Sequence, residues 1–260
     1  MSDYISLAHQ GPASVVTFTL PPFNLLDAEV MDALVAAHRE ADSHSGTRVI
    51  VTRSGLEGMF CNGLNPMTVL DADEAGRKAI FEGVARLAGG LFALKKPHIA
   101  VVNGPAMAGG AVLAILADFR YMDAERGAIC FAEAKVGVPL PEGLVAVIAN
   151  VCHRPALREV VMLGKKFDPQ PALEAGLVDG IAPSAELDAL VEKQVARLSR
   201  LSLDVVSACK ASLRAPVMEQ AMDPFHSRGA GKHFMEFVGD DYLGEGLRAF
   251  IEGRLPVYTK

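Results

Sequence analysis

Apolar and polar positions set out the elements along the first two thirds of the chain. Residues 4–7 and 14–20 are β-branched and aromatic, and they predict two short strands turned by Gly11-Pro12 and stopped at Pro21-Pro22. Behind Asp27, placed as a cap, Val30, Met31, Leu34, Val35 and Ala37 recur at helical spacing to about residue 42. The run 48–52 (RVIVT) predicts a buried strand, followed by a Gly-bearing loop at 55–63. A long helix is expected over about 72–94, closed by Lys95-Lys96-Pro97. The strand 99–102 then leads through a tight loop into 111–117 (AVLAILA), which is apolar on every side and must be buried if helical. Two more strands are expected at 119–122 and 128–131. Strand and helix alternate, which argues for α/β layering.

After residue 142 the pattern becomes helical, with 3.6-residue periodicity over 144–151, 156–163, 185–201 and 203–213; only 177–181 reads as extended. The stretch 196–260 cannot bury much by itself, so it is expected to dock on residues 1–195 or on another subunit.

Composition narrows the function. Half of the 260 residues are apolar, enough for a true core, yet no run reaches the ~20 apolar residues of a membrane span. The net charge of −6 and the lack of a dense basic cluster argue against nucleic acid. Four scattered cysteines and an N-terminus without a signal-peptide pattern point to a cytoplasmic protein with reduced thiols. The chain has no GxSxG elbow, no GxxxxGK[ST] loop, no GxGxxG and no HExxH or zinc-like Cys/His spacing, so neither a metal nor a nicotinamide is expected. His98, His226 and His233 read as packed or surface residues.

Two loops carry the candidate chemistry: Gly58 to Asn65, and Asn103 to Gly110. Each alone also reads as an ordinary tight turn. Glycine lets backbone approach a ligand closely, and two N–H groups converging on one oxygen form an oxyanion hole.

In these loops the sequence resembles the crotonase (enoyl-CoA hydratase/isomerase) superfamily. Phe60-Cys61-Asn62-Gly63-Leu64-Asn65 is similar to its F-[SA]-A-G-x-D loop, and the run from Lys96 to Gly110 to its K-P-x-I-A-x-x-N-G-x-A-x-G-G-G stretch. Asp118-Phe119-Arg120, the A-x-E-x-G-L-V-D match from Ala172 to Asp179, and the run from Gly246 to Pro256 follow in the family's order. The resemblance implies an α/β fold, a crotonase-like spiral of ββα repeats over 1–195, with a helical C-terminal region at 196–260 that builds a homotrimer or hexamer. It implies an acyl-CoA thioester as substrate, with coenzyme A entering only as part of it and no other cofactor.

By position, the resemblance makes Leu64 and Gly109 the oxyanion-hole donors, and Asn62, Gly63, Asn65 and Gly110 substrate-binding residues. Glu133, in Phe131-Ala132-Glu133, falls on the catalytic glutamate of 3,2-enoyl-CoA isomerases. Val112 occupies the place of the hydratases' other glutamate, so one carboxylate is expected to shift a double bond by moving a proton between carbons. The competing expectations are an enoyl-CoA hydratase that recruits Glu142 as second acid, and a CoA-ester-binding homologue without chemistry. Glu142 also reads as a favourable charge at a helix start. Where many members have a Lys near the CoA phosphates this chain has Gly253; Arg254 or Lys260 could stand in, though both read better as surface charges.

Overall fold

The first two predicted strands form an antiparallel hairpin, β1 (Ile5–Gln10) and β2 (Ala13–Phe18). Gly11 turns it at φ +58°, a left-handed backbone that glycine adopts without steric cost. The structure is a computed structural model and describes residues 4–223, 225, 234–239 and 241–258. Helix α1 (Ala28–Ser43) begins where Asp27 accepts a hydrogen bond from the Val30 N–H at 2.9 Å, and it buries Val30, Met31, Leu34 and Val35. Strand β3 (Val49–Ser54) follows.

The helix expected over 72–94 is α3 (Glu74–Phe92), and a short helix not expected from the sequence, α2 (Pro66–Asp71), precedes it. Asn65 caps α2 by accepting from the Met67 N–H, and Asp73 caps α3 by accepting from the Gly76 N–H. The middle of the chain gives β4 (His98–Val102), β5 (Pro105–Met107), α4 (Gly109–Ile115), β6 (Phe119–Asp123) and β7 (Ala128–Cys130). A 3-10 turn at Glu133–Val136 then leads to α5 (Glu142–Ala149), α6 (Arg154–Leu163) and α7 (Pro169–Glu174). The extended stretch expected at 177–181 shrinks to β8 (Gly180–Ala182), because the Leu177 N–H turns back to the Ala172 carbonyl at 2.9 Å. The rest is helical: α8 (Leu187–Ser199), α9 (Leu203–Arg214), α10 (Met218–Met222), α11 (Phe234–Val238) and α12 (Asp241–Glu252).

The large sheet runs β1-β2-β3-β4-β6-β8, parallel at every step after the hairpin. Strands β5 and β7 pair parallel in a second sheet, which single bridges extend to Cys61 on one side and Phe167 on the other. Each turn of the chain therefore adds a strand to the large sheet and then a short one to the small sheet: β3 then Cys61, β4 then β5, β6 then β7. This is the α/β spiral of the crotonase fold.

Two motif residues turn out to be structural. Asp118 accepts from Lys210 at 2.7 Å, Arg214 at 2.6 Å and the His98 N–H at 2.8 Å, fastening α9 to the starts of β4 and β6. Arg120, almost fully buried, pairs with Asp179 at 2.8 Å and ties β6 to the turn before β8. His98 is buried in a chain of side chains. The His38 Nδ1–H donates to the Leu34 carbonyl, which leaves its Nε2 to accept from the Thr52 hydroxyl at 2.6 Å; Thr52 Oγ1 accepts in turn from the His98 Nε2–H at 2.7 Å. Burial holds both rings neutral, with the His38 pKa lowered to about 4. His226, His233 and Lys260 lie outside the described residues. Among the described residues no helix is long and apolar enough to cross a membrane.

Candidate active site

The functional groups leave the ends of three successive strands of the small sheet. Cys61 pairs with Ala106, and Ala106 with Ile129, so the registers of the three are locked together. The Met107 N–H donates to the Cys61 carbonyl at 2.9 Å, and the Ala108 N–H to the Cys130 carbonyl at 2.7 Å. Beyond these bonds the chain runs on to Leu64, Gly109 and Glu133. Carboxyl ends of parallel strands are where open α/β sheets bind ligands.

Leu64 and Gly109 lie on touching backbone. A Cβ added to Gly109 would sit 3.6 Å from the Leu64 nitrogen and 3.3 Å from Gly63 Cα. Gly63 reaches this approach with φ +85°, and Ala108 turns the chain into α4 with φ +46°, an unusual value for a residue with a Cβ. Neither the Leu64 nor the Gly109 N–H has a hydrogen-bond acceptor among the described residues. Leu64 stands opposite Leu26 in a parallel bridge whose two bonds are made by Gly63 and Asn65, which leaves its own N–H out, and Gly109 is the first residue of α4, where no intrahelical acceptor exists.

Both residues border a cavity of about 130 Å³ whose wall also includes Glu133, Val112 and Asn62. Its remaining side chains are apolar, so Glu133 and Asn62 are its two polar side chains among the described residues. Glu133 opens the 3-10 turn after β7, and its Oε2 is fully buried without a hydrogen-bond partner. Burial pushes its pKa up to about 7, opposed only by a hydrogen bond from its own backbone N–H. Val112, 2% exposed on α4, supplies no proton-carrying group.

The structure thus brings Leu64, Gly109, Glu133 and Asn62 together on one cavity, with Gly63 as the close-packed backbone behind them. It does not bring in three other expected residues. Asn65 turns its side-chain oxygen to the cap of α2 and is not part of the cavity wall. Gly110 packs against the first loop, where a Cβ would meet the Cys61 carbonyl oxygen at 2.1 Å. Glu142 starts α5 between the wall residues Pro141 and Leu144 and is not itself part of the wall. Arg254 is held by Glu245 at 2.6 Å and by Glu252.

Wall residues from α3 (Phe81, Val84), from the tail (Phe225, Phe234) and from α12 (Leu243, Leu247) escaped sequence reasoning, because an apolar residue facing a cavity has the same pattern as one facing the core. One signal for α12 was present in the C-terminal motif. Gly246 lets that helix lie directly on the turn bearing Glu133, since a Cβ there would come within 2.4 Å of the Val136 carbonyl.

Residues 10–260 match the enoyl-CoA hydratase/isomerase family. A carnitinyl-CoA dehydratase of Salmonella typhi is 29% identical over 99% of each chain. Among solved structures, the human mitochondrial delta3-delta2-enoyl-CoA isomerase superposes with TM-score 0.87 at 22% identity, covering 96% of this chain and 98% of its own. An enoyl-CoA hydratase from Mycobacterium avium gives TM-score 0.80 at 25% identity over the whole of both chains. With the family match running from the first hairpin to the last residue, and its motif loops meeting at one cavity, the chain belongs to the enoyl-CoA hydratase/isomerase family.

Proposed function

We propose that the protein is a 3,2-enoyl-CoA isomerase that shifts a double bond with a single carboxylate. The observation that carries this reading is the unpartnered Glu133 Oε2 in an apolar cavity shared with two acceptor-free amides. Glu133 removes a proton from C2 of a 3-enoyl-CoA. The Leu64 and Gly109 N–H groups hold the oxygen of the resulting dienolate, and the protonated Glu133 returns the proton at C4. A pKa near neutrality suits one group that must act as base and then as acid within a turnover.

Hydration asks for more, since one group must activate water while another delivers a proton to C2. Val112 removes the first candidate for that second role. The hydratase or dehydratase reading is favoured by two relatives, the Salmonella typhi protein named as a carnitinyl-CoA dehydratase and the Mycobacterium avium enoyl-CoA hydratase. Glu142 would then have to act from the start of α5. A CoA-ester-binding protein without turnover is the third reading.

One assay separates the three. The purified protein is given 3-hexenoyl-CoA and, separately, crotonyl-CoA, and double-bond migration and water addition are followed. Isomerisation at least tenfold faster than hydration is expected, with Glu133→Gln losing about 10²–10⁴-fold in kcat while still binding acyl-CoA. Comparable hydration overturns the isomerase reading, and tight binding without turnover overturns the enzyme. In the same proposal the protein works in the cytoplasm, needs no cofactor beyond the coenzyme A of its substrate, and assembles as a homotrimer or hexamer. The last point is motivated by exposed Leu201, Val205 and Leu213 around α9 and is tested by light scattering.

A further inference from the structure

The cavity has a chemical direction. Its polar side chains, Asn62 and Glu133, belong to the strand ends where the two amides sit. The part of the wall supplied by α3, α11 and the residues between α10 and α11 is aromatic. There Phe234 stacks on Phe225 with ring centroids 4.6 Å apart and planes 3° from parallel, and meets Phe81 edge to face at 5.5 Å. All three rings are buried and all three line the cavity. A ring gripped on one face by a parallel neighbour and meeting a third edge to face cannot turn aside without breaking both contacts.

We propose that Phe234, clamped by Phe81 and Phe225, is the end wall of the acyl subsite and restricts the enzyme to short, uncharged acyl tails. The inference rests on the acyl-CoA reading above and adds the substrate class. The interior volume of about 130 Å³ is close to that of cavities that hold one benzene, or roughly six carbon atoms. No Lys, Arg or His lines the cavity among the described residues, so an acyl tail ending in a carboxylate would be buried there without a partner.

The test uses a series of 3-enoyl-CoA esters from six to sixteen carbons, with wild type, Phe234→Leu and Phe234→Ala. Wild type is expected to lose about tenfold in kcat/KM by ten to twelve carbons, the scale of discrimination a hydrophobic pocket achieves. Phe234→Ala is expected to raise the ratio of twelve-carbon to six-carbon kcat/KM at least tenfold, with Phe234→Leu intermediate and normally folded by thermal unfolding. A wild type that accepts sixteen carbons as well as six overturns the wall, as does a variant that loses activity equally at all lengths. Competition binding of saturated acyl-CoAs over the same lengths reads the wall without chemistry. If wild type turns over no enoyl ester, the isomerase reading fails, while the binding series still shows whether Phe234 sets the length.

Discussion

Gly63 and Gly109 pack backbone to backbone: a Cβ on Gly63 would lie 2.9 Å from the Gly109 nitrogen and 2.9 Å from the Met107 carbonyl oxygen. Those atoms belong to peptides that cannot swing aside as a side chain would. The two candidate oxyanion donors are thus positioned by the absence of one methyl group.

Gly63→Ala therefore reports on the hole without touching Glu133. Alanine must take up φ +85° and push the Gly109 peptide away, which is expected to cost about 1–3 kcal/mol of stability. Displacing a donor from the oxyanion is expected to lower kcat about 10²–10³-fold, with a much smaller change in KM. Steady-state kinetics on a 3-enoyl-CoA, alongside urea unfolding, check both. A variant with wild-type kcat removes the role assigned to these amides.

Ala108 offers the opposite experiment. It holds φ +46° and ψ −116° where the family pattern has glycine, and its side chain makes no capping hydrogen bond to α4. Strain of this kind is tolerated where the surroundings dictate the backbone, here by the Ala108 N–H bond to Cys130 and the Val112 N–H bond back to Ala108. Ala108→Gly is expected to stabilise the protein by about 1 kcal/mol, seen as a higher urea midpoint at unchanged slope. A lower midpoint would mean that the alanine methyl contributes packing worth more than the strain it causes.

Much of this arrangement was legible in the sequence. Leu64, Gly109 and Glu133 follow short strands in loops whose glycines and neighbours form recognisable motifs; regular alternation of strand and helix gives the α/β layering, and the family resemblance implies the spiral. The exceptions have physical reasons. Strand β5 is three residues long and begins at a proline, so it has no periodicity to read. Helix α2 is six residues long and begins at a proline, so it is too short to show a period, and its cap Asn65 looks like an ordinary polar loop residue. Phe225 and Phe234 are far from Phe81 in the chain, and only the tail's docking shows that they enclose the same space.

That docking depends on Asp118, whose two oxygens separately hold Lys210 and Arg214 and also accept from the His98 N–H at 2.8 Å. Burial already lowers the Lys210 pKa to about 8 against the pull of Asp118. Asp118→Asn would leave two buried cations facing a neutral amide, and breaking a buried pair in this way costs about 3–5 kcal/mol. The urea midpoint should fall accordingly, and Lys210→Met in the same background should recover part of the loss. A midpoint unchanged by Asp118→Asn would mean that apolar packing alone fastens α9.

Glu133 links activity and stability to pH with opposite signs. As a base it must be ionised, so kcat/KM of the wild type should rise through about pH 7 and fall about tenfold per unit below it. For stability, its folded pKa lies above the ordinary 4.5, so the folded protein binds this proton more tightly than the unfolded chain does. The contribution is fully present below pH 4.5 and is lost as pH rises to 7, about 3 kcal/mol in all. His38 works the other way over nearly the same range: with its pKa lowered to about 4, its contribution is complete above 6.5 and is lost on acidification, again about 3 kcal/mol. The two oppose each other in the wild type, and His98, lowered by burial as well, adds to the His38 side. Glu133→Gln removes one side of the balance, so the variant should be about 3 kcal/mol more stable than wild type at pH 8 and equal to it near pH 4. Urea unfolding of both proteins across that range measures the difference, and an offset that does not vary with pH would show that Glu133 is not held neutral by burial.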